Sequence, residues 1–330
     1  MKRLEYIFNI KVLCFYTLIL SFNFINAQTV NDTIKAYQYY KKADSFLINR
    51  NLDSSLVYFT KALSIYEKSK DWRKIANCYN GISENLWRKK DFKSSYTNAN
   101  KALKICLKEF GKETDQEAYA YDNMGNYYES MQDLEKAFRY YNKALKIQLK
   151  VLPENHIHIA KSHTNLGIYY NKKKKFEKAL KSHLEALRIR KINAPNGDLN
   201  IANSYLNIGS IYRKTQKYYK AIPFYQKGID LKAKIFGDSY IQISQPLITL
   251  GLIHRELGNY TEAIVFYRKA IKIRKKNLGE DHIKTAEIYN NLGIVYLDLK
   301  LFEEAKKTLN KAQIIFEKQK YSRGLLSVMH

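Results

Sequence analysis

The chain has 330 residues, 45% of them apolar and 27% charged, a balance that belongs to folded proteins and excludes a disordered or collagen-like chain. Its 57 basic residues against 31 acidic ones leave a formal net charge of +26, which raises the question of anionic partners. With 4 prolines and 13 glycines, an all-β protein built on many tight turns is excluded, and long helices with short connections are expected.

At the start, Lys2, Arg3 and Lys11 precede an apolar run from Val12 to Ile25, and Ala27 offers a small residue at a cleavage point. That is the pattern of a secretory signal peptide over 1–27, followed by a linker over 28–35. The run is shorter than the ~20 residues of a membrane span, and an uncleaved anchor is the competing reading. Cys14 has no small residues before it, unlike a lipoprotein cysteine. Export to the periplasm or the medium is therefore expected, with a mature chain beginning near Gln28. Its two cysteines, Cys78 and Cys106, read as separate buried thiols.

Further along, Gly125, Gly167, Gly209, Gly251 and Gly293 recur every 42 residues inside otherwise helical stretches such as "DNMGNYY", "TNLGIYY" and "NNLGIVY". A glycine within a helix costs about 1 kcal/mol relative to alanine, so its repetition implies a packing demand, two helices approaching backbone to backbone. Ala137, Ala179, Ala221, Ala263 and Ala305 follow twelve positions later, and Ala144, Ala186, Gly228, Ala270 and Ala312 seven after those. Aromatics fall three residues after most of the glycines (Tyr128, Tyr170, Tyr212, Tyr296) and three before the last small residue (Tyr141, Tyr225, Tyr267). Weaker copies run through Ser83, Ser95 and Ala102, and through Ala43, Ser55, Phe59 and Ala62.

Seven units of two amphipathic helices result, over about 36–75, 76–117, 118–159, 160–201, 202–243, 244–285 and 286–319, with 320–330 as a tail or the start of a further helix. Gly111, Pro153, Pro195, Gly237 and Gly279 read as helix stops, and Asp115, Asp198, Asp238 and Asp281 as N-caps after them. Pro223, inside the fifth unit's second helix, predicts a bend or irregular turn.

This pattern resembles the tetratricopeptide repeat, and its 42-residue period, with "NNLG" in the first helix and "NLGEDH" after the second, looks most like the kinesin-light-chain type. The resemblance spans nearly the whole mature chain. Because each repeat can bury its apolar faces only against its neighbours, the fold class expected is all-α, a right-handed α-α superhelix with first helices lining a groove and second helices outside.

Motifs that would carry catalysis or hold a cofactor are missing: no nucleophile elbow, phosphate loop, zinc-protease helix, paired CxxC or dinucleotide fingerprint occurs. No enzyme activity, cofactor or metal is expected. His156, His158 and His163 have a spacing no common metal site uses, and His156 shares its repeat position with His282, which favours a role in loop structure.

At the groove-lining positions implied by the resemblance, Lys41, Arg88, Lys161, Lys172, Arg213, Lys214 and Arg255 face Asp44, Glu84, Asp122, Glu129, Glu256, Glu287 and Asp298. The groove is near neutral, with a basic middle at Lys172, Arg213, Lys214 and Arg255. The charge excess lies on the second helices and loops, and reads as a solvated face, with weak attachment to anionic lipid or polysaccharide as the alternative. Nucleic acid is disfavoured because the aromatics fall at packing positions rather than between the basic residues.

What the groove offers is asparagine: Asn123, Asn165, Asn207 and Asn291 share one repeat position, and Asn290 adjoins the last. An amide both donates and accepts, so such a ladder can pair with the backbone of an extended peptide. In the resembling family, asparagine at this position contacts bound peptide.

The expectation is a protein-interaction scaffold that takes a peptide or helix in its groove. The rival reading is the sensory half of a longer signalling protein, such as a histidine kinase or a caspase-like protease with these repeats. The apolar ending "RGLLSVMH" suggests a homodimer edge, a partner domain or a truncated chain.

Overall fold

The computed structural model describes residues 31–321 and 324. The signal-peptide stretch 1–27, and all of the tail 320–330 except Lys320, Tyr321 and Gly324, lie outside the described residues.

Every described element is helical. Helix α1 occupies 31–48. It is followed by α2 (Leu52–Ser69), α3 (Trp72–Arg88), α4 (Phe92–Glu109), α5 (Asp115–Ser130), α6 (Leu134–Val151) and α7 (Ile157–Lys172). After these come α8 (Phe176–Asn193), α9 (Leu199–Lys214), α10 (Tyr218–Phe236), a 3₁₀ turn at Ile241–Ile243, α11 (Ser244–Glu256), α12 (Tyr260–Leu278), α13 (Ile283–Asp298) and α14 (Phe302–Lys318). Odd-numbered helices are the first, and even-numbered the second, of each pair. Among the described residues no helix is long and apolar enough to cross a membrane. The chain divides into two compact units, with α1–α6 in the first and α7–α14 in the second, the division falling between Glu154 and Asn155.

Within each pair, the recurrent glycine forms a socket. A Cβ on Gly167, Gly251 or Gly293 would lie 2.6–2.7 Å from the side chain of His183, Tyr267 or Leu309, and one on Gly125 would overlap the Tyr141 ring. The partner always stands sixteen residues on, in the second helix of the same pair. The sequence led us to expect two backbones in contact at the glycine; instead it is a ring or branched side chain that needs the missing Cβ. Gly81, two residues before the socket position that Ser83 holds in that repeat, receives Phe59 from the preceding helix, 2.5 Å from its Cβ position. The alanines at the other small positions, from Ala137 to Ala312, are buried.

The turns between repeats end as expected. Helix α10 stops at Gly237 and α12 at Gly279, both with left-handed φ, and α6 and α8 stop one or two residues short of Pro153 and Pro195. The starts need correction. Asp198 does cap α9, accepting from the Ile201 N–H at 2.8 Å. In contrast, α5 is capped by Thr114, with Asp115 as its first residue, and α13 by His282, whose Nδ1 accepts from the Lys284 N–H at 3.1 Å. Asp238 caps nothing, since Tyr240 precedes the 3₁₀ turn. His156 caps α7 in the same way as His282 caps α13, so the shared histidine position is a helix start.

The irregular turn predicted at Pro223 is absent: α10 runs unbroken through it. Pro223 lies in the second turn on an exposed position and leaves only the Tyr219 carbonyl without its helical donor. Tyr219 is 77% exposed, so water can serve that carbonyl.

Candidate functional site

The face formed by successive first helices carries the residues singled out from the sequence, and the structure divides them into two groups. One group ties neighbouring first helices together at a register of 43 residues. Asn123 is buried in α5 and donates from Nδ2 to the Asn80 carbonyl of α3 at 3.0 Å. Lys214 Nζ donates to Asn171 Oδ1 at 2.9 Å, from α9 to α7. Arg255 Nε meets Asp298 Oδ2 at 2.6 Å, from α11 to α13. A further rung, Trp87 Nε1 to Ser130 Oγ at 2.8 Å, has no counterpart in the sequence reading. Asn123, Lys214 and Arg255 are therefore each bonded to a neighbouring repeat.

The other group lies nearer to solvent. Asn165, Asn207 and Asn291 are half-buried, Arg213 is half-buried beside Tyr225, and Lys172 is exposed. Asn290 is 7% exposed and its Oδ1 is buried without a partner, as are those of Asn80 and Asn123. The equivalent of Asn290 five repeats earlier, Asn80, donates to the Gln116 carbonyl at the start of the next first helix, at 2.9 Å.

Asn290 and Asn291 open into a recess of about 380 Å³ in the second unit, together with Gln245 and Ile248 of α11, Glu287 of α13, and Arg274. Arg274 comes from α12 and is 6% exposed. It donates to Ser244 Oγ at 3.3 Å, to the Lys284 carbonyl at 2.6 Å and to Gln245 Oε1 at 3.0 Å, and Glu287 stands 4.0 Å away. Burial lowers its guanidinium pKa, with the Glu287 carboxylate opposing. The recess thus combines a fixed buried cation, an unpartnered amide acceptor and an apolar wall.

Arg274 belongs to a series that the sequence reading placed on a solvated face. Gln148, Arg190, Lys232 and Arg274 occupy one repeat position, 42 residues apart, and all four are buried. Gln148 donates to Asp122 at 2.9 Å, Arg190 to Ser204 Oγ at 2.6 Å and Lys232 to Gln242 at 3.3 Å. Long side chains at the inner edge of the second helix reach the polar backbone and hydroxyls of a first helix, so these cations do not face water. Burial holds the Arg190 pKa down to about 10 despite the pull of Asp198. The remaining excess matches the expected placement: the seven second helices carry 30 basic and 11 acidic residues, the seven first helices 12 and 10.

In the first unit the same face is acidic and locked. Glu84, 8% exposed, accepts from the Tyr119 hydroxyl and from Arg88, both at 2.6 Å. Glu129 accepts from the Tyr141 hydroxyl at 2.9 Å. Burial first, and then the neighbouring carboxylate, raises both phenols well above their ordinary pKa, so each stays a donor. Cys78 and Cys106 are free, buried thiols, pushed up by burial to about 12 and about 11. Among the described residues no three His, Cys, Asp or Glu side chains are placed to hold a metal ion.

The tetratricopeptide repeat profile matches residues 84–150, 116–192, 200–276 and 242–318. Among curated protein sequences none matches the chain. Solved structures share its fold. Putative kinesin light chain repeats from Podospora anserina superpose with a TM-score of 0.55 at 16% identity, over 64% of this chain and 100% of theirs. A Rap protein complexed with competence and sporulation factor gives 0.56 at 18%, over 88% of this chain and 76% of its own. A STAND signal-transduction ATPase with a tetratricopeptide repeat sensor from Pyrococcus horikoshii gives 0.68 at 20%, over 88% of this chain and 43% of its own. The fold is typically a non-enzymatic scaffold for protein interactions. With its helix pairs, its 42-residue sockets and a profile match over most of its length, the chain belongs to the tetratricopeptide repeat family.

Proposed function

We propose that the chain is a non-enzymatic interaction scaffold that binds an extended peptide or helix of a partner protein along its first-helix face, with the α11–α13 recess as the anchoring point. The observation that carries this reading is Asn290: a buried amide acceptor without a donor is costly, and the residue that carries it lines a recess large enough for a side chain, beside a second amide, Asn291, so that a small turn of the amide brings Oδ1 to a ligand. A peptide backbone N–H supplies the missing donor, and the apolar wall of Ile248 and Leu252 takes a neighbouring side chain.

The Rap protein found with its competence and sporulation factor is an instance of a similar fold with a bound factor, which is consistent with this use of the face. Asn165 and Asn207, half-buried on α7 and α9, extend the same row. The proposal includes export with cleavage near Ala27, on the strength of Lys2, Arg3 and Lys11 before the apolar run. Intact mass of the protein recovered from its native envelope, against the full-length mass, tests that part.

Selection of peptides from a random display library on the purified chain tests the main reading. A selected peptide should lose at least about tenfold in affinity with Asn290→Ala/Asn291→Ala while the melting temperature stays within a few degrees. Affinity that is unchanged in that variant, and also in Asn165→Ala/Asn207→Ala, would remove the first-helix face as the site.

A further inference from the structure

Beyond the groove, the second helices carry the charge, and one of them concentrates it. On α6, Lys136, Arg139, Lys143 and Lys146 stand at i, i+3, i+7 and i+10, a single stripe that rises over about 15 Å. They line a recess of about 510 Å³ with Tyr128 and Tyr140, and no carboxylate lines it. The Tyr128 and Tyr140 rings are stacked, 5.3 Å between centroids and 5° between planes. Lys136 Nζ lies 5.2 Å from the centre of the Tyr128 ring. Lys143 Nζ lies 5.4 Å from that of Tyr121 and 5.7 Å from that of Tyr140. Lys136 also pairs with Asp133 at 3.0 Å.

A chain-wide taste for lysine would load every repeat alike, and it does not. At the same four positions, each of the four following repeats places one carboxylate: Glu185, Asp230, Glu262 and Glu304. The two preceding repeats place Ser94 and Thr97, and Ser54, Val57 and Ser64, among theirs. The matching recess of the last repeat, about 660 Å³, is lined by Glu304 as well as by Lys272, Lys275 and Lys307, and Glu280 holds Lys275 at 3.0 Å and Lys311 at 2.7 Å. That recess, which Arg268 also lines, sets carboxylates among its cations, whereas no carboxylate lines the one on α6, where Asp133 meets only Lys136 and the other three cations stand around a tyrosine stack.

We propose that the α6 recess binds a linear acidic polysaccharide, one whose sulfate or uronate groups recur along the chain. Four cations in one row at helical spacing suit regularly spaced anions, and the tyrosine rings beside the Lys136 and Lys143 ammonium groups hold them in place. The recess fits a strand better than a flat bilayer. The tyrosine faces are already engaged by each other and by lysine, which leaves no open platform for nucleobases to stack on. The site is separate from the first-helix face and does not depend on the peptide reading.

The test measures binding of the full chain to dextran sulfate and to polygalacturonate as a function of salt. Arg139→Gln/Lys143→Gln/Lys146→Gln should weaken binding to at least one of them about tenfold at low salt and reduce the slope of log affinity against log salt by about two to three, by analogy with counterion release from nucleic acid. Lys272→Gln/Lys307→Gln/Lys311→Gln removes the same charge from the matching recess and should weaken it less than about threefold. Because all the α6 residues changed are exposed, circular dichroism melts of both variants should coincide with the parent. As a second measurement on the unaltered protein, dextran sulfate should shield Lys143 and Lys146 from acetylation more than Lys307 and Lys311. Equal losses in the two variants would reduce the effect to bulk charge and overturn the proposal. Tighter binding of poly(U) RNA or of phosphatidylglycerol vesicles than of either polysaccharide, with the same dependence on α6, would overturn the choice of ligand.

Discussion

The two units are built from one repeat and hold themselves together differently. In the first, helix starts are capped by side chains: Asn51, Asp71, Asp91, Thr114 and Asp133 each accept a backbone N–H at the start of α2, α3, α4, α5 and α6. In the second, side chains cap the first helices α7, α9 and α13, but the second helices α8, α10, α12 and α14 begin at Lys175, Lys217, Asn259 and Leu301 with no such bond. The preceding turns have the same geometry. Lys90 and Lys174 both take left-handed φ, and the residue after each donates back five positions, to Leu86 at 2.9 Å and to Tyr170 at 2.8 Å. Their common shape shows that the turn is set by helix packing, and that the cap adds stability without deciding the fold. The polar chemistry differs as well: carboxylates and phenols lock the first-helix face of the first unit, while buried cations and a histidine fill corresponding places in the second.

The largest contrast should appear in thiol chemistry, because Cys78 and Cys106, the cysteines among the described residues, lie in the first unit. With its pKa raised from 9 to about 12, Cys78 should carry roughly a thousandfold less thiolate than an ordinary thiol at neutral pH. Labelling of these two thiols by a disulfide reagent should therefore wait for local opening of that unit, and fast labelling located by peptide mapping at Cys78 or Cys106 would contradict their burial.

Acid should act on the second unit. His183 fills the Gly167 socket at 1% exposure, and burial, followed by the nearby Arg190, lowers its pKa from 6.5 to about 4. A histidine depressed in the folded state contributes stability fully above the unfolded pKa. That stability, up to about 3 kcal/mol, is lost as pH falls from about 6.5 to about 4. His183→Tyr, which installs the residue present at Tyr141, Tyr225 and Tyr267, should flatten the melting temperature over that window; an unaltered pH profile would show that the imidazole does not control it.

Socket substitutions come next. Gly125→Ala should cost about 1–3 kcal/mol because its Cβ meets the Tyr141 ring. Gly111→Ala has open space but a φ of +78°, and should cost about 1 kcal/mol from backbone strain alone. Equal costs in denaturant titrations would mean that the socket relaxes freely.

Exchanging caps between the units should give smaller and opposite shifts. Thr114→Ala should lose about 1 kcal/mol and Lys175→Asp should gain a similar amount. A gain at Lys175 larger than the loss at Thr114 would show the second unit to be limited by its open helix starts. Last, breaking the half-exposed Arg255–Asp298 pair by Asp298→Asn should change stability by less than about 1 kcal/mol.

Much of this architecture is legible in the sequence. The spacing of sixteen between each glycine and its knob is present in the repeat, and so are the stops at Gly237 and Gly279 and the pairing of His156 with His282, although the cap expected at Asp281 is supplied by His282 itself. The direction of the contact at the glycine was not, because a small residue marks close approach without saying whether backbone or side chain approaches it. Nor was the fate of individual polar residues. Asn123 and Asn291 share a repeat position, yet one is buried with a bond to the Asn80 carbonyl and the other lines a recess, since the first helix next to each presents different atoms. Lys143 and Arg190 are both cations on second helices but at different repeat positions, and it is the inward position of Arg190, within reach of Ser204, that buries it while Lys143 stays solvated.

By itself, then, the sequence determines the helix pair, its period and the family, because a face that can be buried only against a copy of itself must recur at a fixed interval. Which amides and cations bond to the next helix and which stay open to a ligand is decided by the tertiary structure. Hydrogen bonds depend on ångström-scale distances between helices, and a repeat period carries no information about those.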